Sequence, residues 1–430
     1  MTARIDYRMA PGGVLKGRAR VPGDKSISHR SVMLGSIAEG TTRVQGFLEA
    51  EDALATLAAF RQMGVEIEGP DQGRLTIHGG GMHGLKAARE PLCLGNSGTS
   101  MRLLCGLLAG QSFDSVLTGD SSLSKRPMRR VTEPLRQMGA RIKTTPEGTA
   151  PIHIYGGHSL HGLDYAMPVA SAQVKSCLLL AGLYAQGKTC VSEPAPTRDH
   201  TERMLQGFGY EVRREGNRVY LEGGGRLTAT DLDVPADISS AAFFLVGASI
   251  APESELILEH VGINPTRTGV IDILRLMGAK IEVLNPRMVG GEPVADLKVC
   301  SRPLKGIHIP EKLVPLAIDE FPVLFVAAAC AEGETVLTGA AELRVKESDR
   351  IQVMADGLQM LDIDAQPTPD GMIVRGGRIG GGQVVSHGDH RIAMALAIAA
   401  LRASAPIEIE DCANVNTSFP GFAELARSLG

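Results

Sequence analysis

The sequence predicts an α/β fold of two domains, and three observations carry the prediction. Six apolar helical segments, each opened by capping-type or polar residues, recur about every 70 residues. A helix end of the form hydrophobic-Gly-hydrophobic punctuates most of the intervals, and short runs of alternating polarity fill the rest. At 430 residues the chain is too long for one core, so three units per domain is the simplest partition.

The opening segments are Ser26 to Glu39, Ser97 to Gly110, Ser171 to Gly187, Ile238 to Ala251, Asp319 to Gly333 and Asp389 to Ala403. Each runs about three turns of Ala, Leu, Val and Met, and a helix apolar nearly all round belongs inside a core. Each unit then needs a second, more polar helix and about four short strands. The second helices stop at Met63-Gly64-Val65, Met138-Gly139-Ala140, Phe208-Gly209-Tyr210 and Met277-Gly278-Ala279, where glycine accepts a left-handed cap without a Cβ penalty. The fifth copy, Met360-Leu361-Asp362-Ile363, lacks the glycine, and the sixth ends the chain at Ser428-Leu429-Gly430 without strands of its own. The strand-like stretch Tyr7 to Val21 is placed to supply them. The expected domains are therefore 1–21 with 236–430 and 22–235, joined by hinge segments near 21–23 and 234–237.

Composition excludes several function classes. The net charge is -4 and no Lys/Arg block stands out, which argues against nucleic acid as the main partner. Met1 to Arg20 has no apolar signal core, and runs such as Val174 to Ala185 and Ala241 to Ile250 are too short to span a bilayer. Seven scattered cysteines, mostly in apolar surroundings, read as buried reduced thiols of a cytoplasmic protein. Gly182 to Thr189 matches the P-loop pattern, but it closes a helix and opens a strand. A phosphate-cradling loop does the reverse, so nucleotide binding is not expected. The cluster Gly79-Gly80-Gly81 lacks the strand-to-helix setting of a dinucleotide site.

The charged residues concentrate at the starts of the apolar helices and in the segments after them. Lys25, Ser26 and Arg30 open the first; Asn96 to Arg102 opens the second; Ser171-Ala172-Gln173-Val174-Lys175 opens the third. Ser124-Lys125-Arg126-Pro127 and Thr197-Arg198-Asp199-His200 follow the second and third helices. Asp319-Glu320 precedes the fifth helix, Asp389-His390-Arg391 opens the sixth, and Glu342 to Arg350 packs six charges into nine residues. Taken singly, serine caps, dipole-favoured carboxylates and i,i+4 surface pairs explain each. Taken together at equivalent points of six units, Lys25, Arg30, Arg126, Lys175, Arg198, Lys346, Arg350 and Arg391 converge on one cleft that receives anions. A cation about 4 Å from a phosphate oxygen contributes on the order of 4 kcal/mol at an effective dielectric near 20. No cluster with metal-ligand spacing stands out in the sequence, so neither a metal nor another cofactor is expected.

The strings Pro22 to Arg30, Gly95 to Thr99, Lys125-Arg126-Pro127, Ser171-Ala172-Gln173, Leu343 to Arg350 and Asp389-His390-Arg391 resemble, in order along nearly the whole chain, the 5-enolpyruvylshikimate-3-phosphate synthases. The resemblance implies two domains of three βαβαββ units each, an inside-out α/β barrel with its helices buried and the active site in the interdomain cleft. It implies transfer of the enolpyruvyl group of phosphoenolpyruvate to the 5-hydroxyl of shikimate 3-phosphate, without cofactor or metal, by a monomer. By position, Asp319 is similar to the family's hydroxyl base, Glu347 to its proton donor, and Lys25 to a residue that touches both substrates. Ser26, Arg30, Ser171, Ala172, Gln173, Arg198 and Lys346 resemble the shikimate-phosphate shell. Asn96, Gly98, Arg126, Gln173, Arg350 and Arg391 resemble the phosphoenolpyruvate shell.

Thr417 and Glu342 stand where some members carry a substrate-binding lysine and asparagine, and Lys175 is read as an added cation that compensates. Gly98 in place of alanine implies glyphosate sensitivity. The related UDP-N-acetylglucosamine enolpyruvyl transferases need a loop cysteine, and none lies between Cys105 and Cys177. RNA 3′-phosphate cyclases are disfavoured by the missing basic tract. A non-catalytic anion binder would not need both Asp319 and Glu347.

Overall fold

The computed structural model describes residues 5–430; residues 1–4, the start of the stretch read for a signal core, lie outside it. The chain forms two compact units. One comprises the residues up to Pro22, Pro235–Met288 and Pro293–Gly430; the other comprises Gly23–Val234 and Val289–Glu292.

Each unit is built on three buried helices. In the unit beginning at Gly23 these are α1 (Lys25–Ile37), α2 (Gly98–Ala109) and α3 (Ala172–Gly182); in the other they are α4 (Ile238–Ile250), α5 (Phe321–Ala329) and α6 (His390–Ala399). All 13 residues of α4 are buried, as its uniform apolarity requires. Helix α2 packs on α1 and α3, while α4, α5 and α6 pack on one another. Gly106 makes the closest of these approaches possible, since a Cβ there would lie 2.0 Å from the carbonyl oxygen of Cys177 in α3.

Five of the six helices carry a side-chain cap: Asp24, Ser97, Ser171, Asp237 and Asp389. Two expectations change here. Asp24 rather than Ser26 caps α1, accepting from Ile27 N at 2.9 Å. Neither Asp319 nor Glu320 caps α5, because both carboxylates are spent on arginines.

Six small sheets surround the helices on a common plan. The strand after each buried helix is Glu39–Gln45, Ser115–Thr118, Lys188–Ser192, Glu255–Gly262, Glu334–Leu337 or Ile407–Glu410. It pairs antiparallel with the last strand of its unit. On its other edge it accepts a short parallel strand, which in the fifth unit is reduced to bridges at Lys305 and His308. Gly182 to Thr189, the P-loop look-alike, leads from the last residue of α3 into the strand Lys188–Ser192.

The N-terminal stretch corrects the reading that all of Tyr7 to Val21 completes the sixth unit. Only Tyr7–Met9 does so, pairing antiparallel with Ile407–Glu410. Lys16–Ala19, which directly precedes α1, pairs in parallel with Glu255–Gly262 of the fourth unit. Leu232–Asp233, which directly precedes α4, pairs with Glu39–Gln45 of the first. The two lead strands are thus exchanged, and the chain changes unit immediately after each, between Pro22 and Gly23 and between Val234 and Pro235. At the first crossing Gly23 lies against the Gly46 carbonyl, where a Cβ would come within 1.9 Å of the oxygen.

Gly64, Gly139, Gly209 and Gly278 all have φ between +82° and +100°. The glycine-free copy keeps the geometry, with Asp362 at φ +64°. Among the described residues no helix is long and apolar enough to cross a membrane. The cysteine reading needs correction, since Cys93 is exposed and Cys300 and Cys330 are half-buried; Cys105, Cys177, Cys190 and Cys412 are buried. The two half-buried or exposed strand cysteines, Cys93 and Cys300, are each the last residue of a strand.

Asp362→Gly removes a Cβ from a left-handed position and is expected to stabilise the fold by about 1 kcal/mol, read as a higher urea midpoint at unchanged slope. A lower midpoint would show that the aspartate side chain supplies more than the backbone strain removes.

Candidate active site

In the unit of α1 to α3 the polar residues cluster at helix starts. Lys25, the first residue of α1, forms an ion pair with Asp52 of the outer helix Glu51–Gln62. One turn on, Arg30 is buried and donates to Thr201 Oγ1 at 2.7 Å, the Ser26 carbonyl at 2.9 Å and Ser176 Oγ at 2.8 Å. Burial draws its pKa down to about 10, with Glu202 and Asp24 working the other way, so it stays charged at neutral pH. Arg30 therefore locks the Ser26 backbone to α3 and to the outer helix His200–Gly207.

Between them, His29 is completely buried, its Nδ1 2.8 Å from Thr56 Oγ1 and 3.3 Å from Ser100 Oγ. Burial first, and then the cations Lys25 and Arg30, hold its pKa well below the ordinary 6.5. The imidazole is neutral and joins α1 to α2 through hydroxyl groups.

At the start of α2, Arg126 donates to Asn96 Oδ1 at 2.6 Å and to the Asn96 carbonyl at 3.2 Å, while Asn96 Nδ2 donates to Asp120 at 2.8 Å. Arg102, which sequence reasoning did not single out, reaches Gln173 Oε1 at 2.7 Å, and Gln173 Nε2 donates to Thr99 Oγ1 at 3.0 Å. Gly98 sits under both arginines. A Cβ there would lie 3.0 Å from Arg102 Nη1 and 3.2 Å from Arg126 Nη1. Arg102 and Thr99 thus join α2 to Gln173 of α3, Asn96 and Arg126 form a neighbouring set on the other side of Gly98, and Ser171 and Ala172 stand at the head of α3 beside Gln173.

Lys175 overturns an expectation. It is not a cation offered to a ligand, because its side chain is wholly buried between Glu193 at 2.6 Å and Glu202 at 2.7 Å. Apolar flanks drive the lysine inward at its helix position, and a charge there demands paired carboxylates. Arg198 lies half-buried in the loop between those two glutamates.

In the unit of α4 to α6 the centre is Arg350, 1 % exposed and surrounded by three carboxylates. Nε reaches Asp389 at 2.8 Å, Nη1 reaches Asp319 at 3.3 Å, and Nη2 donates to Glu347. Burial alone would lower its pKa; Asp389, Glu347 and Asp319 outweigh that and raise it. The segment Glu342 to Arg350 is therefore not a surface lattice of charges. Lys346 stands 3.5 Å from Asp319, so that carboxylate faces two cations.

Arg391, expected to press against the α6 dipole, is compensated: its backbone N–H is capped by Asp389 at 3.0 Å, and Nη1 reaches the Asp319 carbonyl at 2.9 Å and Glu320 at 3.4 Å. Glu320 also accepts from Ser239 and lies 3.9 Å from the buried Arg267, which donates to Ser239 Oγ at 2.6 Å. Arg267 and Asp389 went unread as site residues in the sequence. The repeat held the signal, since Arg267 precedes its outer helix as Arg126 and Arg198 do theirs and Arg350 opens its own. Thr417 is buried and donates to the Asn414 carbonyl at 2.7 Å. Glu342 is half-buried at the head of the turn Ala341–Val345.

The charges change the picture of an empty cationic cleft. Lys25, Lys175, Arg350 and Arg391 each already face a carboxylate of the protein. An anion engaging Lys25, Arg350 or Arg391 would have to compete with those carboxylates. Among the described residues one group has metal-compatible spacing, Glu66, Glu68 and His78, with ligand atoms within 4.8 Å of one another on a hairpin; the sequence reading had none, because strand pairing alone brings them together. It shares no residue with the helix starts.

Six α/β units on buried helices thus carry arginines at their helix starts and, in one unit, three carboxylates on a single buried guanidinium, and comparison with known proteins gives the class: a transferase. The profile of the EPSP synthase (3-phosphoshikimate 1-carboxyvinyltransferase) family matches residues 9–425, and the chain belongs to that family. A 3-phosphoshikimate 1-carboxyvinyltransferase of Methylococcus capsulatus is 74% identical over 426 residues, 99% of this chain and 98% of the relative. One of Alkalilimnicola ehrlichii is 72% identical over 99% of this chain and 96% of its own length. A solved EPSP synthase from Acinetobacter baumannii superposes with a TM-score of 0.90 at 62% identity, covering 100% of this chain and 98% of that one.

Because the native His29 resists protonation while the unfolded chain titrates at about 6.5, stability is full above that pH and falls below it. The slope approaches about 1.4 kcal/mol per pH unit. His29→Gln should flatten the decline in unfolding free energy between pH 6.5 and 5; parallel profiles for the two proteins would remove His29 as its source.

Proposed function

We propose that this chain transfers the enolpyruvyl group of phosphoenolpyruvate to the 5-hydroxyl of shikimate 3-phosphate, releasing phosphate. The observation that carries the reading is the pair Asp319 and Glu347 on one buried guanidinium, that of Arg350. The reaction needs one carboxylate to take the hydroxyl proton and one carboxyl to protonate the methylene carbon. Two carboxylates sharing a cation can be driven apart in protonation state by a ligand that draws that cation toward one side.

Asp319, facing Lys346 as well as Arg350, takes the hydroxyl proton as the oxygen attacks C2 of phosphoenolpyruvate. Glu347 is 26% exposed, the most accessible of the three carboxylates on Arg350. An anionic substrate that engages Arg350 releases it to take up a proton, which it delivers to C3. The tetrahedral adduct collapses when C3 loses a proton and the C2–O bond to phosphate breaks, with Lys25 assisting departure.

Ser26, Arg30, Ser171, Ala172, Gln173, Arg198 and Lys346 hold shikimate 3-phosphate in this reading. Asn96, Gly98, Arg126, Gln173, Arg350 and Arg391 hold phosphoenolpyruvate. One chain carries every group, and the enzyme works as a cytoplasmic monomer without cofactor.

Phosphate release should require both substrates and survive a chelator. Asp319→Ala should lower kcat by at least about 100-fold while shikimate 3-phosphate still binds; retained turnover would move the base elsewhere, and release without shikimate 3-phosphate would end the assignment. Glyphosate should inhibit. Gly98→Ala, which presses on Arg102 and Arg126, should raise the KM for phosphoenolpyruvate about tenfold and weaken glyphosate inhibition, with the KM for shikimate 3-phosphate unmoved.

A further inference from the structure

The loop from Glu193 to Glu202 links the strand Lys188–Ser192 to the outer helix His200–Gly207 and carries Arg198. Both of its ends fasten to one atom, Lys175 Nζ, which lies 2.6 Å from Glu193 and 2.7 Å from Glu202. Thr197 closes the loop from inside by donating to the same Glu193 carboxylate, and Arg214 caps the glutamates from outside at 2.8 and 3.5 Å. Lys175 is wholly buried, and Glu193 and Glu202 nearly so.

Stability alone is a poor reason for this arrangement. Removing an ammonium and two carboxylates from water costs several kcal/mol per ion, and apolar replacement of such a cluster is commonly neutral or stabilising. What a buried, mutually paired set of charges does provide is a single permitted geometry. Here that geometry fixes the two ends of a loop rich in proline, Pro194 and Pro196, with Arg198 at partial exposure between them.

We infer that Lys175 is a positioning residue for substrate recognition: by pinning Glu193 and Glu202 it sets the place of Arg198, through which it controls affinity for the phosphate of shikimate 3-phosphate. The role of Arg198 rests on the proposed function; the loop-pinning rests on the geometry alone, and the two are separable by experiment.

The test is a double-mutant cycle of Lys175→Met and Arg198→Ala with steady-state kinetics, alongside amide hydrogen exchange of residues 193–202. Lys175→Met should raise the KM for shikimate 3-phosphate about tenfold, with the KM for phosphoenolpyruvate unmoved. In the Arg198→Ala background the same change should add less than about twofold. Exchange across the loop should quicken in Lys175→Met.

Glu202→Gln, which keeps shape and removes one charge, gives the same pattern at smaller amplitude and serves where the methionine variant does not fold. Effects of Lys175→Met and Arg198→Ala that multiply independently, or a KM rise shared by both substrates, would reduce Lys175 to general structure. Unchanged exchange in the loop overturns the pinning itself, whether or not the chain turns over. Failure of the wild-type chain to release phosphate overturns the proposed reaction and leaves the exchange result to judge the loop.

Discussion

The unit of α4 to α6 depends on the buried guanidinium of Arg350. Its charge is tolerable there only because Asp389, Asp319 and Glu347 surround it, and those three come from the head of α6, the turn before α5 and the segment before its own helix. Removing the guanidinium would leave these carboxylates facing one another without their shared cation, at a cost of about 3–5 kcal/mol. One cation therefore ties together the starts of separate helices and places two carboxylates within reach of one another. Asp389 does double duty, since it also caps α6 and accepts from Ser348 at 3.0 Å.

The other unit solves the same problem with different chemistry. Its helix starts are joined by neutral groups between α1 and α2, through His29, Thr56 and Ser100, and by the amide of Gln173, the hydroxyl of Thr99 and the cation Arg102 between α2 and α3. Its buried cations are held apart from those networks, Arg30 on hydroxyl and carbonyl oxygens and Lys175 on two glutamates. The carboxylates gathered on a single guanidinium belong to the other unit.

Much of this architecture is legible in the sequence because it is local. Apolarity all round a helix forces burial, as in α4, and a helix end that turns left-handed selects glycine, or at Asp362 an aspartate that tolerates the same φ. The exchange of Lys16–Ala19 and Leu232–Asp233 between the first and fourth units is not local. Each strand is too short to announce its partner, and pairing across more than 180 residues is chosen by which sheet edge stands open. The chain changes unit directly after each of these two strands, at Pro22–Gly23 and Val234–Pro235.

The charged residues divide the same way. Which residue types sit at the helix starts, and that they are cations with a carboxylate pair among them, is written in the sequence and its six-fold repeat. Which of those cations stay available is not. Lys175 and Arg350 read as similar exposed helix-start charges, yet one is closed off between glutamates and the other is a hub for three carboxylates. The sequence by itself determined composition, repeat and the identity of the polar groups; only the tertiary structure decided their partners. The physical reason is that a charge's state depends on what faces it across a few ångströms of low-dielectric interior, and those neighbours lie tens to hundreds of residues away in the chain.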